Sequence, residues 1–126
     1  MTFRFLSPAL IELTEAAEYY EEKVPGLGTE FIDEADAALA LILNYPEAWT
    51  RVSENYRHCN FRKFPYTIIY ARRSDKEILI ISVFHQSREP LSWRRNLQLK
   101  AEGNETTSCT GFNKGLQWGD LRAAQS

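Results

Sequence analysis

Residues 64–90 read FPYTIIYARRSDKEILIISVFHQSREP and contain the most apolar strand-like run in the chain. Two segments within it, 66–72 and 78–84, are rich in β-branched and aromatic residues, and the polar stretch 73–77 separates them. This pattern predicts an antiparallel hairpin of two β-strands. Apolar side chains occupy both alternating faces of the second segment, so we expect a central strand that is buried on both sides.

The second segment ends abruptly in polar and charged residues, which begin with His85 and include Arg88. A strand that served only the core could end in any turn residues, so this ending is a candidate functional site. Histidine suits acid–base work near neutral pH, and the planar guanidinium of arginine suits phosphate groups. A structural role is an open alternative: the His85 imidazole can hydrogen-bond a backbone group at the strand exit, and Arg88 can pair with Glu89.

The chain before the hairpin predicts one strand and two helices. Residues 2–6 (TFRFL) alternate in the manner of a strand, and apolar residues then recur at helical spacing up to the break PGLG at 25–28. Thr29 is suited to cap a second amphipathic helix, which Pro46 ends. With 56–63 as a further strand, the order is β-α-α-β-β-β. The predicted fold class is α+β, a two-helix hairpin packed on a four-stranded, largely antiparallel sheet.

Length and composition fit one globular domain. The chain has 126 residues, of which 44% are hydrophobic and 25% are charged. Two cysteines are too few for a disulfide scaffold and lack metal-ligand spacing. No apolar run approaches the length of a membrane span or a signal peptide, so we expect a cytoplasmic protein with no membrane partner. Residues 1–98 are predicted to form the domain. Residues 99–126, rich in Gly, Ser, Thr and Asn, are predicted to form a disordered tail.

Charge is divided unequally along the chain. Residues 1–50 hold two basic and ten acidic groups, whereas residues 51–100 hold eleven basic and four acidic groups. This asymmetry suggests that one face meets a polyanion or an acidic partner. Pairing of the opposite charges within the fold is the alternative.

Four stretches together resemble the RelE/ParE toxin family, whose members are the toxic halves of bacterial type II toxin–antitoxin modules and are often described as plasmid stabilisation proteins. They are YYEEKVPGLGTEF at 19–31, the proline at 46, RKFPYTIIY at 62–70 and VFHQSREPLSW at 83–93. The resemblance covers residues 3 to about 95. It implies a compact toxin that needs no cofactor and no metal, and that a cognate antitoxin neutralises. A homodimer is possible.

The resemblance implies two modes of action. RelE-like members are endonucleases that cut mRNA on the ribosome, whereas ParE-like members inhibit DNA gyrase and cleave nothing. For cleavage, the candidate catalytic residues are His85, Arg88 and Arg62, which can supply an acid or base and cations for the phosphate. For contact with a target or a nucleic acid, the candidates are these residues: Arg57, Arg62, Lys63, Arg88 and Trp93.

Two departures from the RelE-like pattern favour binding over cleavage. RelE-like nucleases usually carry an arginine inside the penultimate strand, where this chain has Pro65, Tyr66 and Thr67. They also usually end in a tyrosine near the last strand, where the nearest aromatic residue here is Trp93, which cannot transfer protons. The sequence therefore predicts ParE-like inhibition of gyrase. The alternatives are ribosome-dependent mRNA cleavage and a degenerate member that only binds its antitoxin.

Overall fold

The computed structural model describes residues 2–88, 91–101 and 106–108. The strands form one mixed sheet in the order β2-β3-β4-β5-β1-β6, and the helices α1 and α2 pack together as a hairpin. None of the helices in these ranges is long and apolar enough to span a membrane. In chain order the elements are β1 (Thr2–Leu6), α1 (Ser7–Lys23), α2 (Leu27–Asn44), β2 (Thr50–Ser53), β3 (Tyr56–Asn60), β4 (Tyr66–Ser74), β5 (Glu77–His85), α3 (Arg94–Ala101) and β6 (Thr106–Ser108).

The predicted α+β class is confirmed, but the predicted count of four strands was too low. The two missed strands are β2 and β6, and both lie at the edges of the sheet. β2 pairs antiparallel with β3 through an irregular register, and β6 pairs antiparallel with β1 over three residues. Short edge strands carry little apolar alternation, because they bury few side chains, so their sequences give a weak signal.

The predicted boundary after residue 98 falls inside α3, which continues to Ala101. β6 also lies within the stretch that was predicted to be a disordered tail. The remaining parts of that stretch, 102–105 and 109–126, lie outside the described residues. The tail prediction therefore stays a prediction for those two segments.

The β4–β5 hairpin forms the centre of the sheet, as predicted. Its register places Tyr66 opposite His85 and Ile68 opposite Val83. β5 lies between antiparallel β4 and parallel β1, and the side chains from Ile78 to Phe84 are all buried. This burial on both faces explains why the strand reads as a continuous apolar run.

The helix hairpin turns more tightly than the sequence suggested. α2 begins at Leu27, two residues before the predicted cap at Thr29, because Gly26 adopts a left-handed conformation with φ of 90°. The Glu21 carboxylate of α1 accepts hydrogen bonds from the backbone N–H groups of Gly26 and Gly28, at 3.0–3.1 Å. A β-carbon at Gly28 would lie 2.7 Å from the Ala17 carbonyl oxygen, so only glycine permits this helix–helix approach.

An aromatic cluster joins the hairpin to the end of the sheet where the β4 strand begins. Phe31 of α2 is fully buried, and its ring lies 5.4 Å from Tyr20, 5.1 Å from Phe64 and 4.9 Å from Tyr66. Tyr66 in turn meets the ring of His85 at 5.2 Å, in an edge-on arrangement. The cluster therefore holds Tyr66 in place against His85 at the predicted site.

The edge of β5 that faces β1 is paired along only part of its length. β1 pairs with β5 only as far as Phe5 opposite Ile80, whereas β5 continues to His85. Side chains form hydrogen bonds with backbone groups in the unpaired part of β5. Glu12 of α1 accepts the Val83 N–H at 3.0 Å, and Asn96 of α3 donates to the Ile81 carbonyl at 2.8 Å.

Candidate functional site at the end of β5

His85 closes the turn that follows β5. Its Nδ1 atom accepts a hydrogen bond from the Ser87 backbone N–H at 3.0 Å, and its carbonyl accepts one from the Arg88 N–H at 3.0 Å. The Nδ1 atom therefore carries no proton in this arrangement. The structural role that the sequence left open is thus present, and Nε2 is the nitrogen not used by the turn.

Arg88 projects from this turn and lies at the meeting point of three concave regions. Its side chain is 60% exposed, and Nη1 lies 3.8 Å from Oε2 of Glu12. Two of these regions have volumes of about 280 Å³ and one has a volume of about 210 Å³. A long guanidinium side chain at such a junction can reach more than one bound group.

Glu12 lies at the candidate site, although the sequence did not single it out. One of its oxygens, Oε1, accepts hydrogen bonds from Ser82 Oγ at 2.9 Å, Val83 N at 3.0 Å and Asn96 Nδ2 at 3.2 Å. Only 20% of its side chain is exposed. Burial raises the pKa of the Glu12 carboxyl, although these hydrogen bonds and the Arg88 charge act in the opposite direction. Glu12 thus joins α1, β5 and α3 at one carboxylate.

The other predicted cations do not join His85. Arg57 Nη1 donates to the Trp49 carbonyl at 2.6 Å, which ties β3 to the segment after α2. The exposed side chains of Arg62 and Lys63 lie in the β3–β4 loop, whose backbone N–H groups donate to Glu34 of α2 at 2.8 and 3.0 Å. Within the described ranges, no hydrogen bond or ion pair links these three cations to His85 or Arg88.

Trp93 lies in the core and not on the surface. Its side chain is 1% exposed and packs on Tyr56 with a ring-centroid distance of 5.1 Å. The guanidinium group of Arg94 lies 5.5 Å from the centroid of the indole ring. The predicted contact between Trp93 and a target therefore has no exposed ring surface through which to act.

The arrangement provides cations and hydrogen-bond donors more readily than an acid–base pair. Burial raises the pKa of the Tyr66 hydroxyl beside His85, which keeps that phenol protonated at neutral pH. Among the residues that the structure describes, no three His, Cys, Asp or Glu side chains are grouped to hold a metal ion. Two exposed cations, Arg88 and Arg95, line one cavity here and form what we call the positive rim, beside the rings of Tyr66 and His85.

Residues 3–90 match the model of the family described as the ParE toxin of the parDE type II toxin–antitoxin system. The chain belongs to the ParE toxin family. The match spans β1 to β5 and includes His85 and Arg88, but it ends before α3. No curated protein matches the chain.

Among solved structures, the chain is similar to one described as the chromosomal ParDE toxin–antitoxin system from P. aeruginosa. The TM-score is 0.58 and the sequence identity is 18%, with 68% of this chain and 95% of that chain covered. At this identity the likeness concerns the fold alone. As a ParE family member of a type II module, the protein has a cognate antitoxin as its partner.

Proposed function

We propose that the protein is a toxin that inhibits DNA gyrase by binding to it and cleaves no substrate. Membership of the ParE family, matched over residues 3–90, is the observation that carries this proposal. The fold does not decide between gyrase inhibition and RNA cleavage, but the side chains of the site favour one of them.

The exposed cations suit binding. The side chains of Arg62, Lys63 and Arg88 all reach solvent, and α3 adds Arg94 and Arg95. A positive surface of this kind attracts an acidic protein surface or a protein–DNA complex from a distance, and it needs no proton transfer. Inhibition by binding alone therefore requires exposed basic side chains and no catalytic group.

Cleavage of RNA makes greater demands. A metal-independent ribonuclease needs a base near the 2′-hydroxyl, an acid near the leaving oxygen and cations around the phosphate. Nδ1 of His85 is used by the turn, Arg57 is tied to a backbone carbonyl, and Trp93 is buried. Nε2 of His85 stays available for proton transfer, so the contacts of Arg57 and Trp93 are the ones that support binding as the mode of action.

The test measures supercoiling of plasmid DNA by purified gyrase in the presence of the full chain. We expect inhibition by the wild type and at least tenfold weaker inhibition by the Arg88→Glu and Arg62→Glu variants, since each reverses an exposed charge at the surface. Arg73→Glu is the matched control, because Arg73 is also exposed but lies beside the β4–β5 turn. Unimpaired supercoiling at saturating wild-type protein would contradict the proposal.

Ribosome-dependent mRNA cleavage remains the second candidate because His85, Tyr66 and Arg88 line the same cavity of about 210 Å³. His85→Gln separates the two modes, since glutamine keeps hydrogen-bonding capacity but takes up no proton near neutral pH. Under gyrase inhibition the variant stays toxic. Under acid–base cleavage it loses about two to four orders of magnitude in rate. Codon-phased cuts in a primer-extension assay would favour the second candidate, and unimpaired growth at confirmed expression would favour a degenerate, antitoxin-binding member.

A further inference from the structure

A pocket of about 210 Å³ lies between α1 and the paired ends of β4 and β5. Arg88 of the positive rim belongs to its lining, but the other walls combine carboxylates with rings. α1 contributes Glu12, Glu15 and Tyr19, and the strands contribute Tyr66 and His85. The spacing of three and four residues along α1 places the three helical side chains on one face.

One carboxylate oxygen in this pocket has spare capacity. Oε1 of Glu12 accepts three hydrogen bonds, but among the residues that the structure describes the partner seen for Oε2 is Arg88 at 3.8 Å, which is beyond hydrogen-bonding distance. The Arg88 side chain is largely exposed, so it holds this position weakly. A partly buried carboxylate with an open oxygen favours the approach of a further hydrogen-bond donor that carries positive charge.

The rings of the pocket add to its preference for cations. The face of a tyrosine ring attracts ammonium and guanidinium groups. Tyr19 already shows this property, because Nζ of Lys23 lies 5.1 Å from its ring centroid. Lys23 is also the single basic residue of the helix hairpin, residues 7–44, which holds nine acidic residues.

The rim of the pocket offers apolar contacts. Tyr19, which lines the pocket, is 54% exposed; Ile11, which lies outside the lining but eight residues earlier on the same helix, is 43% exposed, so the two flank Glu15 by four positions on either side. A stripe of this kind suits the aliphatic part of a long basic side chain and its apolar neighbours in a peptide. The pocket and the stripe beside it are therefore suited to an arginine side chain of a partner protein. Arginine is enriched among the residues that contribute most to binding at protein interfaces.

We propose that this pocket binds an arginine side chain of the cognate antitoxin, with its guanidinium group between Glu12 and Glu15 and its aliphatic part against Tyr19. The partner follows from family membership, and the chemistry follows from charge complementarity with the acidic hairpin. The inference does not depend on gyrase as the target.

The first test uses the pentapeptide acetyl-Ala-Ala-Arg-Ala-Ala-amide, titrated into the isotopically labelled full chain and followed by NMR. Signals of Glu15, Tyr19 and His85 should shift. The same peptide with citrulline in place of arginine should bind about tenfold more weakly, because it keeps the shape but loses the charge. Equal binding of the two peptides, or shifts confined to residues outside the pocket, would overturn the proposal.

The second test compares two variants of α1 for affinity to the antitoxin encoded beside the toxin gene. Glu15→Gln should weaken antitoxin binding by about tenfold. Glu22→Gln removes an exposed carboxylate of the same helix outside the pocket, so it should leave the affinity unchanged. Equal effects of the two variants would show that general charge is responsible and would overturn the specific pocket.

Gyrase inhibition and the oligomeric state, measured on Glu15→Gln, identify other occupants. Weaker gyrase inhibition with unchanged antitoxin affinity would assign the pocket to the target. A changed monomer–dimer equilibrium with unchanged antitoxin affinity would assign it to a second copy of the chain. Either result overturns the antitoxin assignment. Failure of the wild type to inhibit gyrase would refute the proposed function and leave this inference standing.

Discussion

Replacing Glu12 tests the carboxylate that joins α1, β5 and α3. Glu12→Ala removes the acceptor for Val83 N–H, Ser82 Oγ and Asn96 Nδ2, and all three donors are buried. Ser82 can rotate its hydroxyl and Asn96 keeps the Ile81 carbonyl, but the Val83 N–H is left without a partner. We expect a loss of about 2–3 kcal/mol in the free energy of unfolding. The melting temperature should fall by roughly 6–15 °C.

Glu12→Gln gives a sharper result because glutamine keeps an oxygen at the same place. The folded-state pKa of Glu12 is raised above 4.5, so the folded protein binds this proton more tightly than the unfolded chain does. The stabilisation from the protonated form is complete below pH 4.5 and is lost as the pH rises through the folded-state pKa. Glutamine does not titrate. The free energy of unfolding of Glu12→Gln, relative to that of the wild type, should therefore increase as the pH rises from 4.5 through the folded-state pKa.

Urea unfolding of the wild type and the two variants between pH 4 and pH 8 measures both effects, with Glu22→Gln as the exposed control. The control should stay within about 0.5 kcal/mol of the wild type. Equal stabilities of Glu12→Ala and Glu12→Gln would refute the hydrogen-bonding role. The raised pKa would be refuted if the free energy of unfolding of Glu12→Gln, relative to that of the wild type, stayed constant or fell as the pH rises.

Three further outcomes follow from the packing and the composition. Gly28→Ala should lower the urea midpoint by the equivalent of about 1–3 kcal/mol, because the new β-carbon meets the Ala17 carbonyl at 2.7 Å; an unchanged midpoint would contradict this. Burial raises the pKa of the Cys59 thiol to about 11, so in a Cys109→Ser background Ellman's reagent at pH 8 should react with the unfolded protein but not with the native one. Deleting residues 109–126 should shift the melting temperature by less than about 2 °C and spare toxicity, since their composition cannot offset the cost of ordering; aggregation or lost antitoxin binding would point to an interface there.

Long, strongly patterned elements were predictable, and short edge elements were not. The β4–β5 hairpin and the two amphipathic helices carry enough buried positions to set a period of two or near 3.6. β2 is mostly accessible to solvent and irregular in register, so it shows no such period. The start of α2 was misplaced because the Glu21 carboxylate, and not Thr29, binds the backbone at its first turn.

The candidate site was predictable in place but not in composition. His85 and Arg88 lie at the end of the central strand, as the sequence indicated. Glu12 was not singled out, since helical periodicity alone cannot show that β1 ends before β5 does. The difference in strand length was a usable signal: β1 has five residues and β5 has nine, so part of the β5 edge needs another partner. Trp93 was misjudged because its burial depends on Tyr56, which is distant in sequence.

Pairing of opposite charges within the fold was the alternative explanation of the unequal distribution of charge along the chain. Arg88–Glu12 is the ion pair seen between the helix hairpin and the basic half of the chain, and its 3.8 Å separation is long. Arg72 pairs with Glu47 and Asp75 near the β4–β5 turn, whereas the contacts seen between Glu34 and the pair Arg62 and Lys63 are made by their backbone N–H groups. The ion pairs seen among the described residues, Arg88–Glu12 and Arg72–Glu47, therefore neutralise part of the asymmetry between the two halves of the chain. The acidic hairpin and the positive rim present opposite charges to solvent and meet at Arg88, so raising the salt concentration should slow association at either surface.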